Sequence, residues 1–133
     1  GLSTHAGLFG SIDDLGWYSL HLRSQLMGIA RYSMKQKTAA LFSKRALSEN
    51  MGDWALGYML PTPGKSSCGV FFGRNSFGHT GFTGTSVWYD PSQDLSVAIL
   101  SNRVLYGREN KGFSQLRPEI HNWIIEAIRR SGI

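Results

Sequence analysis

The stretch from Phe77 to Arg103 constrains the fold of this 133-residue chain more than any other. A polar triplet, His79-Thr80-Gly81, ends one short run, and two hydrophobic runs follow at 85–90 and 95–101. Asp90-Pro91-Ser92-Gln93-Asp94 joins those two runs. So tight a connection, rich in turn formers, returns the chain on itself, and an antiparallel hairpin is expected. Val97, Ile99 and Leu100, with Ala98 between them, indicate burial on both faces of the second run.

The flanking segments read as helices and shorter strands. Ser11 with Asp14 three positions later resembles a capping box, and Leu15, Tyr18, Leu22 and Leu26 recur at helical spacing. A helix over 12–27, closed by Gly28, is expected, with a second over 34–47 around Ala39, Ala40, Leu41 and Phe42. Residues 48–53 are polar and turn-like, and Ala55–Leu60 is expected as a strand stopped by Pro61 and Pro63. Apolar runs at 68–72 and 76–80 are expected as further strands. A last helix over 115–130 carries Leu116, Ile120, Trp123, Ile124, Ala127 and Ile128 as its core stripe, with Pro118 in its first turn and Arg129 and Arg130 at its C-terminal end. The expectation is an α+β unit: N-terminal helices within 1–50, then an antiparallel β-meander and a covering C-terminal helix within 54–133.

Composition and motif spacing narrow the function classes. Hydrophobic residues at 41% and charged residues at 17% describe a chain that folds, and no run approaches the length of apolar sequence that spans a membrane. The net charge of +5 comes from scattered residues. The densest group, Lys35, Lys37, Lys44 and Arg45, reads as a solvated helix face, so no nucleic-acid partner is expected. The single Cys68 lies in an apolar stretch and reads as a small core residue. His5, His21, His79, His121 and Cys68 have no ligand spacing, so neither a metal nor another cofactor is expected. Gly64-Lys65-Ser66 lacks the first glycine of a phosphate loop, Met59 standing there, and reads as a turn.

Around the triplet the neighbours agree with one another. His5-Ala6-Gly7-Leu8-Phe9 with Asp13-Asp14-Leu15, then Phe77 to Trp88 with Asp90-Pro91, then Leu100 to Val104, Arg108-Glu109-Asn110 and Arg117-Pro118 follow in order. With these segments the chain resembles the class C β-lactamase, DD-peptidase and esterase-type serine hydrolases. It is similar to roughly the last third to two fifths of such a catalytic domain.

The resemblance implies roles. His79-Thr80-Gly81 would lie on an edge strand beside the nucleophile, with an acyl substrate along it as an extra β-partner. The backbone N–H of Phe82 would be one oxyanion-hole donor, the nucleophilic serine supplying the other. Thr80 would bond a substrate carboxylate or pass a proton, and His79 stands where most β-lactamases have lysine, as in the DD-peptidase and esterase branch. Phe82 stands where penicillin-binding members often have a small hydroxyl residue, which leans the reading towards an esterase-like or peptidase substrate. The implied substrate is an amide or ester such as a β-lactam or a peptidoglycan peptide. The implied location is the bacterial periplasm or cell envelope, with the cytoplasm left open.

The rest of that machinery is not in the chain. No serine is followed three residues later by lysine, Ser114 with Arg117 coming nearest, and no tyrosine is followed two residues later by asparagine. Ser48-Glu49-Asn50 has the form of another motif of these hydrolases but sits in an expected turn. The expectation is therefore a C-terminal fragment, inactive alone, that joins a missing N-terminal part of the same protein. A non-catalytic module that binds peptidoglycan or self-associates through an exposed sheet edge is the alternative.

Overall fold

The computed structural model describes residues 7–29 and 34–132. His5 and Ala6 of the first motif segment lie outside these residues. Helix α1 (Ile12–Leu26) begins where the sequence places it. Ser11 closes a full capping box with Asp14, the Asp14 N–H donating to Ser11 Oγ at 3.2 Å and the Ser11 N–H to Asp14 Oδ2 at 2.7 Å. Its end falls at Gly28, in the left-handed region at φ +72°. Helix α2 (Gln36–Ser43) is shorter than the expected 34–47 and packs on α1.

Three strands follow, β1 (Phe77–Thr80), β2 (Ser86–Asp90) and β3 (Leu95–Ile99), in the antiparallel order β1-β2-β3. Phe77 pairs Tyr89 and Thr80 pairs Ser86, while Trp88 pairs Val97. Side chains alternate between the two faces. Phe77 and Tyr89 join Leu22, Ala55 and Leu60 on the α1 side. Trp88 and Val97 join Cys68, Phe72 and Ile125 on the opposite side, under helix α3 (Gly112–Ser131). The sheet is thus a middle layer between α1 and α3, an α+β arrangement with a core on each face.

Two expected strands are not strands. Across 55–60 the chain turns at Gly57 (φ +89°), the Ala55 N–H donates to the Tyr58 carbonyl at 2.9 Å, and only Met59 reaches the sheet, bridging Gly78. Across 68–72, Gly69 takes φ +81° and the Val70 N–H is claimed by Asn122 Oδ1 of α3 at 2.9 Å. Cys68 and Phe72 are buried there as the anchors of a loop.

Helix α3 also corrects the expectation. It starts at Gly112, so Pro118 lies in the second turn, and the fully buried line is Arg117, His121 and Ile125, with Leu116 and Trp123 exposed. The two polar residues can be buried because each finds a partner on the sheet side: Arg117 the Gly84 carbonyl, His121 the Ser86 hydroxyl.

Candidate functional site

Gly78 fixes which way the backbone of β1 faces. Its N–H donates to the Met59 carbonyl at 3.0 Å and its carbonyl accepts from the Met59 N–H at 2.8 Å, so Gly78 turns its polar groups away from β2. In an antiparallel ladder this direction alternates, which turns the backbone of Thr80 to the same outer edge. Met59 covers that edge only at Gly78.

Beyond Thr80 the chain makes a tight turn in which five successive carbonyls are held. The Gly81 carbonyl accepts from the Gly84 N–H at 3.0 Å. The Phe82 carbonyl accepts from Arg103 Nε at 2.7 Å, and the Thr83 carbonyl from the Arg103 backbone N–H at 2.8 Å. The Gly84 carbonyl accepts from Arg117 Nη2 at 3.0 Å, and the Thr85 carbonyl from the Gly81 N–H at 2.7 Å. Glycine is required at 84, where φ is +105° and a Cβ would lie 2.3 Å from Ser101 Oγ.

This turn directs the Phe82 N–H outward. The peptide joining Gly81 to Phe82 is trans, so its N–H points opposite to the Gly81 carbonyl, which faces into the turn. Among the described residues no acceptor bonds the Phe82 N–H. The Phe82 ring is exposed, with the guanidinium of Arg103 4.9 Å and that of Arg108 5.5 Å from its centroid.

His79 and Thr80 stand beside that donor. His79 is exposed on the α1 side of β1, its ring tilted against Trp54 with centroids 5.9 Å apart. Its Nδ1 lies 2.8 Å from the Thr80 carbonyl oxygen. A carbonyl only accepts, so Nδ1 is the donor in this bond and Nε2 takes no part in it. The Thr80 hydroxyl faces the other side of the strand and has only a weak contact with Met59 Sδ, at 3.8 Å. The four expected residues are thus contiguous along one strand end, presenting an imidazole, a hydroxyl and an N–H.

The remaining motif candidates are elsewhere. Ser48 donates to Asn50 Oδ1 of its own turn at 2.6 Å, and Glu49 pairs with Arg74. A groove of about 550 Å³ runs between the Pro61–Ser66 loop and α3 and contains none of His79 to Phe82. The candidate site is a strand edge and lies apart from that groove. Among the described residues no cluster of three or more His, Cys, Asp or Glu could hold a metal ion, and no helix is long and apolar enough to cross a membrane. The anchoring roles of Arg103 and Arg117 were not read from the sequence, although both fall in segments that carry the resemblance; their partners are backbone carbonyls some twenty to thirty residues away.

This edge strand with its glycine-rich turn, packed between helices, is accompanied by a family match. The Beta-lactamase family model matches residues 1–116, and the chain belongs to that family. It is similar to an N-acetylmuramyl-L-alanine amidase of Bacillus subtilis (strain 168), 37% identical over 108 residues that make up 77% of this chain and 23% of the relative. It is also similar to a protein of Salmonella gallinarum provisionally named D-alanyl-D-alanine carboxypeptidase, 33% identical over 110 residues, 77% of this chain and 24% of that relative. The chain spans about a quarter of the length of these curated relatives. No solved structure matches it.

Proposed function

We propose that residues 1–133 form the C-terminal part of the catalytic domain of a serine hydrolase of the β-lactamase, DD-carboxypeptidase or esterase type. In this reading the chain supplies the His79-Thr80-Gly81 strand and one oxyanion donor, the Phe82 N–H. The serine comes from residues outside 1–133. The observation that carries the reading is the unbonded, outward Phe82 N–H at the end of an edge that no strand covers beyond Gly78, where the Thr80 carbonyl meets only the His79 ring.

The chemistry follows from that edge. An extended acyl substrate lies along Thr80 and Phe82 as a β-partner, and the serine oxygen attacks its carbonyl carbon. The negative charge that develops on the carbonyl oxygen is met by the Phe82 N–H and the serine's own N–H. A base outside 1–133 takes the serine proton and passes it to the leaving amine or alcohol as the intermediate collapses, and water, giving up a proton to the same base, then releases the acid from the acyl-serine. Nε2 of His79 accepts a proton-bearing partner during these steps, and the Thr80 hydroxyl, weakly held by Met59 Sδ, turns to the substrate carboxylate. The substrate class is a peptidoglycan peptide or a β-lactam, and the site of action is the cell envelope. The names of the relatives support this choice.

Labelling with a fluorescent penicillin or an acyl phosphonate tests the reading. The full-length protein should be labelled at a serine outside 1–133, and the isolated chain should not. Label on the isolated chain would contradict it.

A second reading, a non-catalytic module that binds peptidoglycan or self-associates, draws on the outer edge of β3, which has no strand partner among the described residues. Light scattering separates the two. Self-association of the full-length protein, together with failure to label, would favour the module.

A further inference from the structure

Arg103 reaches the proposed site without facing a substrate. It sits at the start of a 3-10 turn, Arg103–Tyr106, after β3. Its Nε donates to the Phe82 carbonyl at 2.7 Å and its own backbone N–H to the Thr83 carbonyl at 2.8 Å. Its Nη1 donates to the carbonyls of Arg108 and Asn110, at 3.1 and 2.9 Å, and its guanidinium stacks on the Phe82 ring. No carboxylate among the described residues pairs with it. One residue therefore joins two consecutive peptide groups of the 81–85 turn to the loop that ends near Asn110.

We infer that Arg103 is a positioning residue: it sets the direction of the Phe82 N–H and so the alignment of the oxyanion donor. The inference rests on the reading of that N–H given above. The Phe82 N–H lies in the plane of the Gly81–Phe82 peptide, and that plane is set by the bond on its own carbonyl and by the φ of Phe82, through which the next peptide acts on it. On the N-terminal side the Gly84 N–H holds the Gly81 carbonyl. On the C-terminal side both neighbouring carbonyls, those of Phe82 and Thr83, are held by Arg103. Phe82 and Thr83 are the exposed corner of the turn, where the Phe82 ring lies against Arg103 and Arg108 and the other tie on these two carbonyls is a long bond from Ser101 Oγ to that of Thr83, at 3.4 Å. Releasing the Arg103 bonds loosens the Phe82–Thr83 peptide and with it the φ of Phe82, so that the Gly81–Phe82 plane, left with the Gly84 bond alone, can swing its N–H off the oxyanion position, where a displacement of about 1 Å costs on the order of a hundredfold in rate. Guanidinium suits the task because its planar fork satisfies several carbonyls at fixed angles, which an ammonium does not.

A double-mutant cycle in the full-length protein tests this, read as hydrolysis of a chromogenic β-lactam and of a p-nitrophenyl ester. Replacing Phe82 by phenyllactic acid through nonsense suppression deletes the N–H, at the cost of a weaker acceptor at the Gly81 carbonyl, and should lower kcat about a hundred- to a thousandfold. Arg103→Ala in the normal backbone should lower kcat roughly ten- to a hundredfold with KM changed less than about threefold, and Arg103→Lys should fall between it and the parent. In the phenyllactate background Arg103→Ala should cost less than about threefold more, because the donor it aligns is already gone. An equal cost in both backgrounds, or no cost in either, overturns the role of Arg103 and leaves the donor assignment intact. Full activity of the phenyllactate protein overturns the donor assignment itself, and the Arg103 role with it. If Arg103→Ala does not fold, the cycle is run with Arg103→Lys, and additivity there overturns the proposal.

Discussion

The Arg117 guanidinium, buried in α3, holds the Gly84 carbonyl with Nη2 at 3.0 Å and Nε at 3.3 Å, which ties the C-terminal helix to the turn that follows His79-Thr80-Gly81. Burial, and then the nearby charge of Arg103, pull the Arg117 pKa down, yet a guanidinium remains charged. Its charge is met by a carbonyl and by the face of Phe113, 5.6 Å away. The sheet and the helix are thus locked together at the candidate site by a polar anchor, next to the buried His121–Ser86 pair.

Removing that anchor leaves a buried carbonyl without a donor and a cavity where the side chain lay. Arg117→Ala should destabilise the protein by about 3 kcal/mol, combining lost charge-assisted hydrogen bonds with the cavity. Arg117→Lys, which keeps the charge but cannot fork, should cost roughly half of that. Urea denaturation with an unchanged slope is the measurement. A loss below about 0.5 kcal/mol for Arg117→Ala would show that the anchor carries no stability.

His121 makes stability fall in mild acid. It is fully buried, with Nε2 3.2 Å from Ser86 Oγ and Nδ1 without a hydrogen-bond partner. Burial, and then the Arg117 charge, push its pKa down to about 4 from 6.5. The unfolded chain therefore binds more protons than the native one between about pH 6.5 and 4. Stability is full above 6.5 and declines as pH drops through this window, by on the order of 3 kcal/mol, with no further loss from this residue below it. In His121→Gln the slope over this window should disappear while the slope below pH 4 stays. An unchanged profile in His121→Gln would mean that another group titrates there.

These two residues also show where the sequence is legible. Helix α1 could be read because Ser11 and Asp14 cap it locally and its apolar spacing is regular, and the β2–β3 hairpin because Asp90 to Asp94 is a turn by composition alone. The apolar stripe of α3 misled, since it leaves out Arg117 and His121, which are buried. They are buried because Gly84 and Ser86, more than thirty residues earlier, offer them a carbonyl and a hydroxyl. The run 68–72 misled for a similar reason: its Val70 N–H goes to Asn122 and not to a neighbouring strand. At the candidate site, His79 to Phe82 were legible as a motif, whereas Arg103 acts on backbone atoms that no side-chain pattern records.

Asp90 organises the hairpin turn as a buried carboxylate. It accepts from the N–H groups of Gly73, Ser92 and Gln93 and from the side chains of Ser92 and Gln93, between 2.6 and 3.3 Å. Burial alone would raise its pKa, but these donors outweigh it and hold it down to about 2. Its contribution is present above about pH 4 and is lost as pH falls towards 2. Asp90→Asn turns a donor group towards donors at neutral pH and should cost about 2–4 kcal/mol, with a weaker acid dependence below pH 4. Thermal melts of both proteins from pH 2 to 7 test this, and an equal acid slope in the two would assign it elsewhere.

Gly78 and Gly81 flank the His79-Thr80 pair, and they should respond differently to the same methyl group. At Gly78 a Cβ would lie 2.2 Å from the Val87 carbonyl oxygen and 2.8 Å from the Trp88 Cα, both backbone atoms of β2. No rotamer relieves that clash, so β1 and β2 must separate, and Gly78→Ala should destabilise by about 3 kcal/mol or more. At Gly81 the sole close contact is Thr85 Oγ1 at 2.1 Å, the next being 3.5 Å away. Gly81→Ala should cost about 1–2 kcal/mol, and adding Thr85→Ala should restore most of it, because the clash is with one hydroxyl. Neither glycine has positive φ, so backbone strain does not enter the comparison. Chemical denaturation of the two single variants and the double variant decides the matter: a Gly81→Ala loss that Thr85→Ala leaves unrelieved would mean that the turn itself cannot accept a side chain there.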